Sequence, residues 1–326
     1  MRYSFIDVAR GINIILVVLG HCMYSADIPL NKMIMSFHMP LFFFLSGIFA
    51  KRQNDISLAF LRRISLKSRR LLISHVFLSL TIIVLNCVLC YFNGKGIWEF
   101  DIWECFCYWF LLVLFSCVMI FMVVSVFVDV DKNLNRIAIL MVTACLVAFS
   151  LKYEFPVQSL SWFNIIPTAF LFYTIGYFSR NYVLSSFGDK HTASREMLVV
   201  LSIPLLYIAC QLNVPIKMYE NRYGFYPLFL ATSFLGIFVV MEISKSIKFC
   251  SFFEEMGKLS IVVYVWNFLV IGLIMRLFTR LSHAMGIMYE NIVMSMIFLA
   301  SLSVLYGISK ITYRYFPWLY GLQKNE

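Results

Sequence analysis

The strongest chemical signal in this chain lies at the head of its first apolar segment, where "DVARGINIILVVLGH" carries Asp7, Arg10 and His21. The eleven residues from Arg10 to His21 advance an α-helix by about 1,100° and about 16 Å, so both side chains face nearly the same way at different depths. Asp7 stands three residues before Arg10 on that face, the position from which a carboxylate holds a guanidinium. A guanidinium suits phosphate or thioester recognition. A neutral imidazole can take a proton from a hydroxyl as it attacks an activated acyl carbon and return one to the leaving thiolate, or it can carry the acyl group itself. Plainer roles stand beside these: Arg10 as an interfacial anchor and His21 as an interhelical hydrogen-bond partner. Ionisable side chains within a span are functional suspects by default.

A second histidine follows in "MIMSFHMPLFFFLSGIF". If the first helix runs outward and the next returns, with the turn near Ala26–Asn31, His21 and His38 come to similar depth beneath the outer surface. Helix rotation decides whether they meet, and Pro40 is close enough to His38 to kink the helix or restart it. His75, just inside the third span, reads mainly as a packing or hydrogen-bonding residue.

These residues need a scaffold, and composition indicates which one. The chain has 326 residues, 61% hydrophobic and 13% charged, with mean hydropathy +0.84; soluble domains carry about a quarter of their residues as charges. It reads as an all-α, polytopic membrane bundle and as one integral membrane domain over 1–326. Ten apolar stretches occur, near 11–27, 33–50, 71–90, 105–127, 137–151, 162–179, 196–212, 226–243, 258–276 and 288–308. Most approach the length that crosses a hydrocarbon core of about 30 Å, the weakest being 137–151. Lys and Arg concentrate in alternate connections: 20 of 27 fall on one side when both tails are placed inside. That bias marks the cytoplasmic face and predicts N-in, C-in. The opening segment lacks the basic region, short apolar run and small-residue cleavage site of a signal peptide, so it reads as a retained span.

The net charge of +10 is spread over inward-facing connections. It points to anionic lipid or a phosphorylated cytosolic ligand rather than nucleic acid. Seven cations, Lys51, Arg52, Arg62, Arg63, Lys67, Arg69 and Arg70, fall within twenty residues. They serve orientation and lipid contact, or an electrostatic funnel for coenzyme A phosphates, with Arg69 and Arg70 nearest the third span. The nine cysteines lie mostly in apolar segments as small buried hydrophobes, and Cys105 and Cys107 have no matching pair, so no metal site is expected. Acids at the outer ends that could orient a histidine are Asp27, Glu99, Asp101, Glu104, Glu154, Glu220 and Glu290. Glu154 in "KYEFP" and Glu220 in "KMYENRYGFYP" sit among aromatics that could grip a sugar or form an ordinary interfacial belt.

The Arg10-x10-His21 spacing followed by "FHMPLFFFLSG" at 37–47 resembles the membrane acyltransferase-3 family, in particular its branch of fucose 4-O-acetylase-like, cell-surface sugar O-acetyltransferases. The likeness runs on through "YWFLLVLF" at 108–115 and "MGKLSIVVYVWNFLV" at 256–270. It implies about ten spans, acetyl-CoA as acyl donor from the cytosol, a sugar or glycan hydroxyl as acceptor toward the outer side, and residence in a bacterial cytoplasmic membrane. By resemblance the catalytic roles pass to Arg10 and His21. Asp7, Gly11, His38, Pro40, Ser46, Gly47 and Trp109 match further motif positions. Two departures stand out. Many relatives have histidine where this chain has Asn267, which can hydrogen-bond but cannot titrate near neutral pH, so an orienting role remains. Relatives follow RxxR with a proline, whereas here Lys67-x-x-Arg70 runs into "LLISH".

The resulting expectation assigns catalysis to His21 and Arg10, donor binding to Arg10, Arg62, Arg63, Arg69 and Arg70, acceptor contacts to His38, Trp109, Glu154, Glu220 and Asn267, and support of Arg10 to Asp7. Ten spans with intramembrane polar residues also describe a transporter or flippase of a glycan or lipid-linked precursor. The first-hairpin motif favours transfer chemistry, and no half-to-half repeat supports transport.

Overall fold

The computed structural model describes residues 3–23, 25, 27–53, 55–92, 109–153, 158–185, 193–247, 251–285 and 290–317. Among them the chain is helical, without a named strand: α1 Ser4–Cys22, α2 Pro29–Ile48, α3 Leu58–Phe92, α4 Trp109–Phe127, α5 Asn133–Lys152, α6 Ile166–Ser185, α7 Ala193–Gln211, α8 Tyr226–Ser246, α9 Ser251–Lys258, α10 Ser260–Met285 and α11 Glu290–Tyr315. Short 3-10 turns occupy Gln158–Ile165 and Met218–Glu220. Among the described residues, each of the ten apolar stretches lies mainly on a helix, with 162–165 in the first 3-10 turn. Seven described helices, α1, α4, α5, α7, α8, α10 and α11, are long and apolar enough to cross a membrane. The stretch that looked weakest belongs to this set, because α5 extends back to Asn133 and gains a full turn beyond its apolar run.

One boundary differs from the sequence reading in a way that bears on function. The basic stretch is no loop over most of its length: α3 begins at Leu58, so Arg62, Arg63, Arg69 and Arg70 lie on the opening turns of a 35-residue helix. Leu, Ala, Arg and Lys are strong helix formers and no Gly or Pro interrupts them, so the helix propagates out of the apolar run.

The chain clusters into two compact units. The first comprises 1–45, 181–217 and 222–316. Its centre is α1, packed by α8, α9, α10 and α11, while α7 packs on α8 and α10 on α11. The central place of α1 is visible in burial: 67% of its apolar window is buried, against 11% for α7. The outer face of α7, with Val200, Leu201 and Leu205 exposed, is therefore the one suited to lipid.

Two glycines set the distance between α1 and α9. A Cβ at Gly11 would stand 1.9 Å from the Phe253 carbonyl oxygen, and one at Gly257 would stand 1.8 Å from the Asp7 carbonyl oxygen. The helices meet backbone to backbone, each glycine facing the other helix, as small residues allow inside membranes. A polar contact joins the same two helices, Ser4 Oγ donating to Glu254 Oε2 at 3.0 Å, and within α9 Lys258 Nζ lies 2.6 Å from the other oxygen of that carboxylate, Oε1.

Glu255 on α9 ties this corner to α11. It accepts a hydrogen bond from the Tyr306 hydroxyl and faces Lys310 Nζ at 3.2 Å. The Tyr306 bond first, then Lys310, hold its carboxyl below the usual carboxylate range against the opposing effect of desolvation. A carboxylate depressed in the folded state contributes stability that is fully present above its unfolded pKa and is lost as pH falls through the folded one. The wild type is expected to lose thermal stability as pH drops below about 4.3, the ordinary value for glutamate, and Glu255→Gln should flatten that slope. Melting curves over an acid pH series check this; equal slopes in the two proteins would remove Glu255 from the account.

The second unit comprises 46–180, 218–221 and 317–326. Here α3 packs on α4, and the first 3-10 turn packs on α4 and α5. Phe121 of α4 meets Tyr173 and Tyr177 of α6 at ring separations of 5.6 and 4.6 Å. Gly47, at the end of α2, lies against α6 so closely that a Cβ would be 1.9 Å from the Tyr173 carbonyl oxygen. A charged network joins the 51–53 segment, the α4–α5 connection and α6. Arg52 pairs with Asp129 at 2.6 Å and Asp131 at 3.4 Å, Arg136 and Arg180 reach Asp131 at 3.7 and 3.6 Å, and the Tyr177 hydroxyl donates to Asp131 at 3.0 Å. Arg52 thus has carboxylate partners from a distant connection, a reading that residue counting within 51–70 does not reach.

Candidate functional site

The site can be built from α1 outward, within the first unit. No proline interrupts the run from Ser4, and the helix ends at Cys22, where Met23 turns extended (φ −79°, ψ 129°). Near its start Asp7 is buried and Arg10 half-buried, with Arg10 Nη1 3.6 Å from Asp7 Oδ1. This is the i,i+3 pair that the spacing predicts. Gly11 lies in the next turn, where α9 is in backbone contact. The conformation of Arg10 is therefore set by a helix crossing as well as by its carboxylate.

Three turns further along, His21 is half-buried and its ring lies against Phe268 of α10, with centroids 4.5 Å apart and planes tilted by 51°. The two helices run parallel: Gly257, just before α10, touches α1 at Asp7, and Phe268 touches it at His21. Asn267, the neighbour of Phe268, is completely buried, and neither its Oδ1 nor its Nδ2 has a hydrogen-bond partner among the described residues. A buried carboxamide with both ends unmet costs several kcal/mol of lost hydration, about 1–3 for each unsatisfied group. That cost is recovered when a hydroxyl-bearing ligand supplies a donor and an acceptor.

The returning helix α2 sets the second histidine against α1. His38 is buried on α2, where Asn31 and Ile34 lie nearest Gly20 and the His38 carbonyl meets Asn13. His38 Nδ1 lies 2.8 Å from the Ile34 carbonyl oxygen. A carbonyl only accepts, so Nδ1 carries the proton and Nε2 of the neutral ring presents its lone pair. The kink question resolves in favour of one continuous helix, since Pro40 sits inside α2.

Asn13 is the site residue that sequence reading passed over. It is fully buried on α1 between Arg10 and His21, and its Nδ2 donates to the His38 carbonyl oxygen at 2.6 Å. A polar residue in an apolar run between two ionisable ones was the available signal. Phe268 carried none, because an aromatic in an apolar helix has the same pattern whether it packs or touches a catalytic ring.

Of the expected residues, Asp7, Arg10, His21, His38 and Asn267 all belong to the first unit. The second holds Arg62, Arg63 and Arg69, all exposed on α3, with Arg63 Nη1 donating to Gln53 Oε1 at 2.8 Å; Arg70 is on the same helix. It also holds Trp109, the first residue of α4, edge-on to Phe110 at 6.2 Å, and Glu220, half-buried in the second 3-10 turn. Beside it Asn221 adopts φ 56° and donates from Nδ2 to the Ser150 carbonyl at 2.9 Å. Glu154, the acids Glu99, Asp101 and Glu104, and the Cys105/Cys107 pair lie outside the described residues.

The family described as "Acyltransferase domain", acyltransferase-3, matches residues 3–313. No curated protein and no solved structure matches the chain.

Proposed function

Because this chain belongs to the acyltransferase-3 family and is a membrane-bound O-acyltransferase, we propose that it transfers an acetyl group from cytosolic acetyl-CoA to a hydroxyl of a cell-envelope sugar or polysaccharide. The observation that carries this reading is the arrangement along α1: a carboxylate-held guanidinium at one level, and at the other an imidazole packed on Phe268, whose neighbour Asn267 is buried with neither end of its carboxamide met among the described residues. With both termini inside a bacterial cytoplasmic membrane, Arg10 opens toward the cytosol and His21 toward the outer half.

In the mechanism, Arg10 engages the anionic donor near the inner mouth, and the cationic opening of α3, with Arg62, Arg63, Arg69 and Arg70, draws in coenzyme A phosphates along with anionic lipid. An extended acyl-carrying arm spans the rise of about 16 Å from Arg10 to His21. His21 takes the proton of the acceptor hydroxyl as its oxygen attacks the thioester carbon; the carbon–sulfur bond breaks and the thiolate leaves with that proton. The alternative order places the acetyl group first on His21 and then on the sugar. Asn267 orients the acceptor through its carboxamide, His38 lines the same depth, and Trp109, Glu154 and Glu220 contribute acceptor contacts. Burial of the histidine pair keeps water from competing with the sugar.

The test is time-dependent release of thiol from acetyl-CoA by the purified protein with a panel of glycan acceptors, beside R10A and H21A. Acceptor-dependent turnover that both variants lose supports the reading. Folded wild-type protein that neither turns over nor saturably binds acetyl-CoA with a native glycan extract present would overturn it.

A further inference from the structure

Pro40 leaves one carbonyl of α2 without its helical donor, a hydroxyl from another helix meets it, and two residues on a carboxamide from a third helix meets the carbonyl of His38. Proline has no N–H to donate four residues back, so the Ser36 carbonyl loses its helical partner. Inside a membrane such a carbonyl must be met by protein. The Ser233 hydroxyl on α8, fully buried, donates to it at 2.7 Å. Two residues on, Asn13 Nδ2 from α1 donates to the His38 carbonyl at 2.6 Å. Cys210 of α7 adds a contact of 3.3 Å from Sγ to Ser36 Oγ, whose own hydroxyl donates to the Met33 carbonyl at 2.8 Å. These groups come from α1, α7 and α8 and converge on one turn of α2.

We propose that Asn13 and Ser233 are positioning residues for the acyl-transfer site: together they clamp the Pro40 turn of α2 so that His38 is held with Nδ1–H on Ile34 and with Nε2 as its lone-pair nitrogen. This rests on the acyl-transfer reading for its catalytic meaning, though the clamp itself does not. Packing alone does not account for the polar choices. Asn13 occupies a position fully surrounded by protein, where an apolar residue would avoid leaving an amide oxygen unmet, yet its Oδ1 has no partner among the described residues. The carbonyl assignment also determines the amide orientation, because only Nδ2 can face the His38 oxygen. Gly236, one turn along α8 from Ser233, allows the approach: a Cβ there would lie 2.3 Å from the Phe37 ring, which sits between Ser36 and His38.

Two measurements test the proposal with the full-length protein. The first is the nitrogen NMR spectrum of protein carrying 15N-histidine, with His38→Gln to assign the signal. The wild type should show a single Nδ1–H tautomer at His38, and Asn13→Leu and Ser233→Ala should each broaden it or mix the tautomers, while Ser233→Thr, which keeps the hydroxyl, preserves it. The second is kinetic: both variants should lower kcat by about ten- to a hundredfold, as misplacement of a reacting group does, with acceptor KM unchanged and Ser233→Thr close to wild type. In a Pro40→Ala background, position 40 again donates to the Ser36 carbonyl, so Ser233→Ala should cost little more. A wild-type His38 signal in both variants, or losses additive with Pro40→Ala, would overturn the clamp. If the wild type transfers no acyl group, the functional reading fails while the NMR result still decides the clamp.

Discussion

His21→Ala is expected to lower acetyl transfer by about 10³-fold, within the range of about 10²–10⁴ that a positioned general base contributes, without unfolding the protein. The second half of that statement follows from the surroundings of the ring. His21 is half-buried, its ring packs on Phe268, and the close backbone crossing of α1 lies near Asp7 and Gly11, away from its side chain. Its removal leaves a gap between α1 and α10 but keeps the Gly11 and Gly257 crossing below it. The measurement is initial-rate kinetics over a range of acetyl-CoA and acceptor concentrations, with a melting curve for each protein. If His21 is base or acyl carrier, kcat collapses and donor KM stays near wild type, because Arg10 still engages the donor. A variant that keeps wild-type kcat would sink this assignment.

Gly257→Ala is expected to have the largest effect on folding, about 3 kcal/mol of destabilisation, at the upper end for overpacking a closely packed contact. The added carbon would meet the Asp7 carbonyl oxygen at 1.8 Å, with the Asp7 carbonyl carbon at 2.7 Å. Both atoms belong to the backbone of a buried helix, so no side chain can swing aside. Separating α1 from α9 would also shift Asp7 and with it Arg10, so donor binding should weaken along with stability. A control runs in the opposite direction. Gly272 in α10 has nothing within 4 Å of a Cβ, so Gly272→Ala should be neutral or add about 0.5–1 kcal/mol, the ordinary gain of alanine over glycine inside a helix. Thermal or denaturant unfolding of the three proteins in one detergent checks the contrast. Equal stabilities for Gly257→Ala and Gly272→Ala would mean that α1 and α9 do not meet as described.

Several parts of this molecule depend on chain-local physics, and the sequence by itself determined them. Continuous apolar runs of span length satisfy every backbone group within one segment only as helices, which is why the described part of each stretch is mainly helical. The Asp7–Arg10 pair and the antiparallel return of α2 depend only on helical spacing and a short turn. The match of the whole chain to an acyltransferase family was likewise legible in Arg10, His21 and "FHMPLFFFLSG".

Other features depend on which helix lies beside which, and only the tertiary structure decided them. Gly11 and Gly257 are 246 positions apart, and glycines are common enough in membrane helices that neither announces a crossing. The basic stretch after α2 became the start of α3 because helix propensity continues past the end of hydrophobicity. Arg52 found Asp129 and Asp131 because a distant connection supplies them. The proline in α2 was visible at once, but the hydroxyl that meets its orphaned carbonyl comes from α8 and the carboxamide that meets the His38 carbonyl comes from α1, and both partners are backbone oxygens, which carry no mark in the sequence.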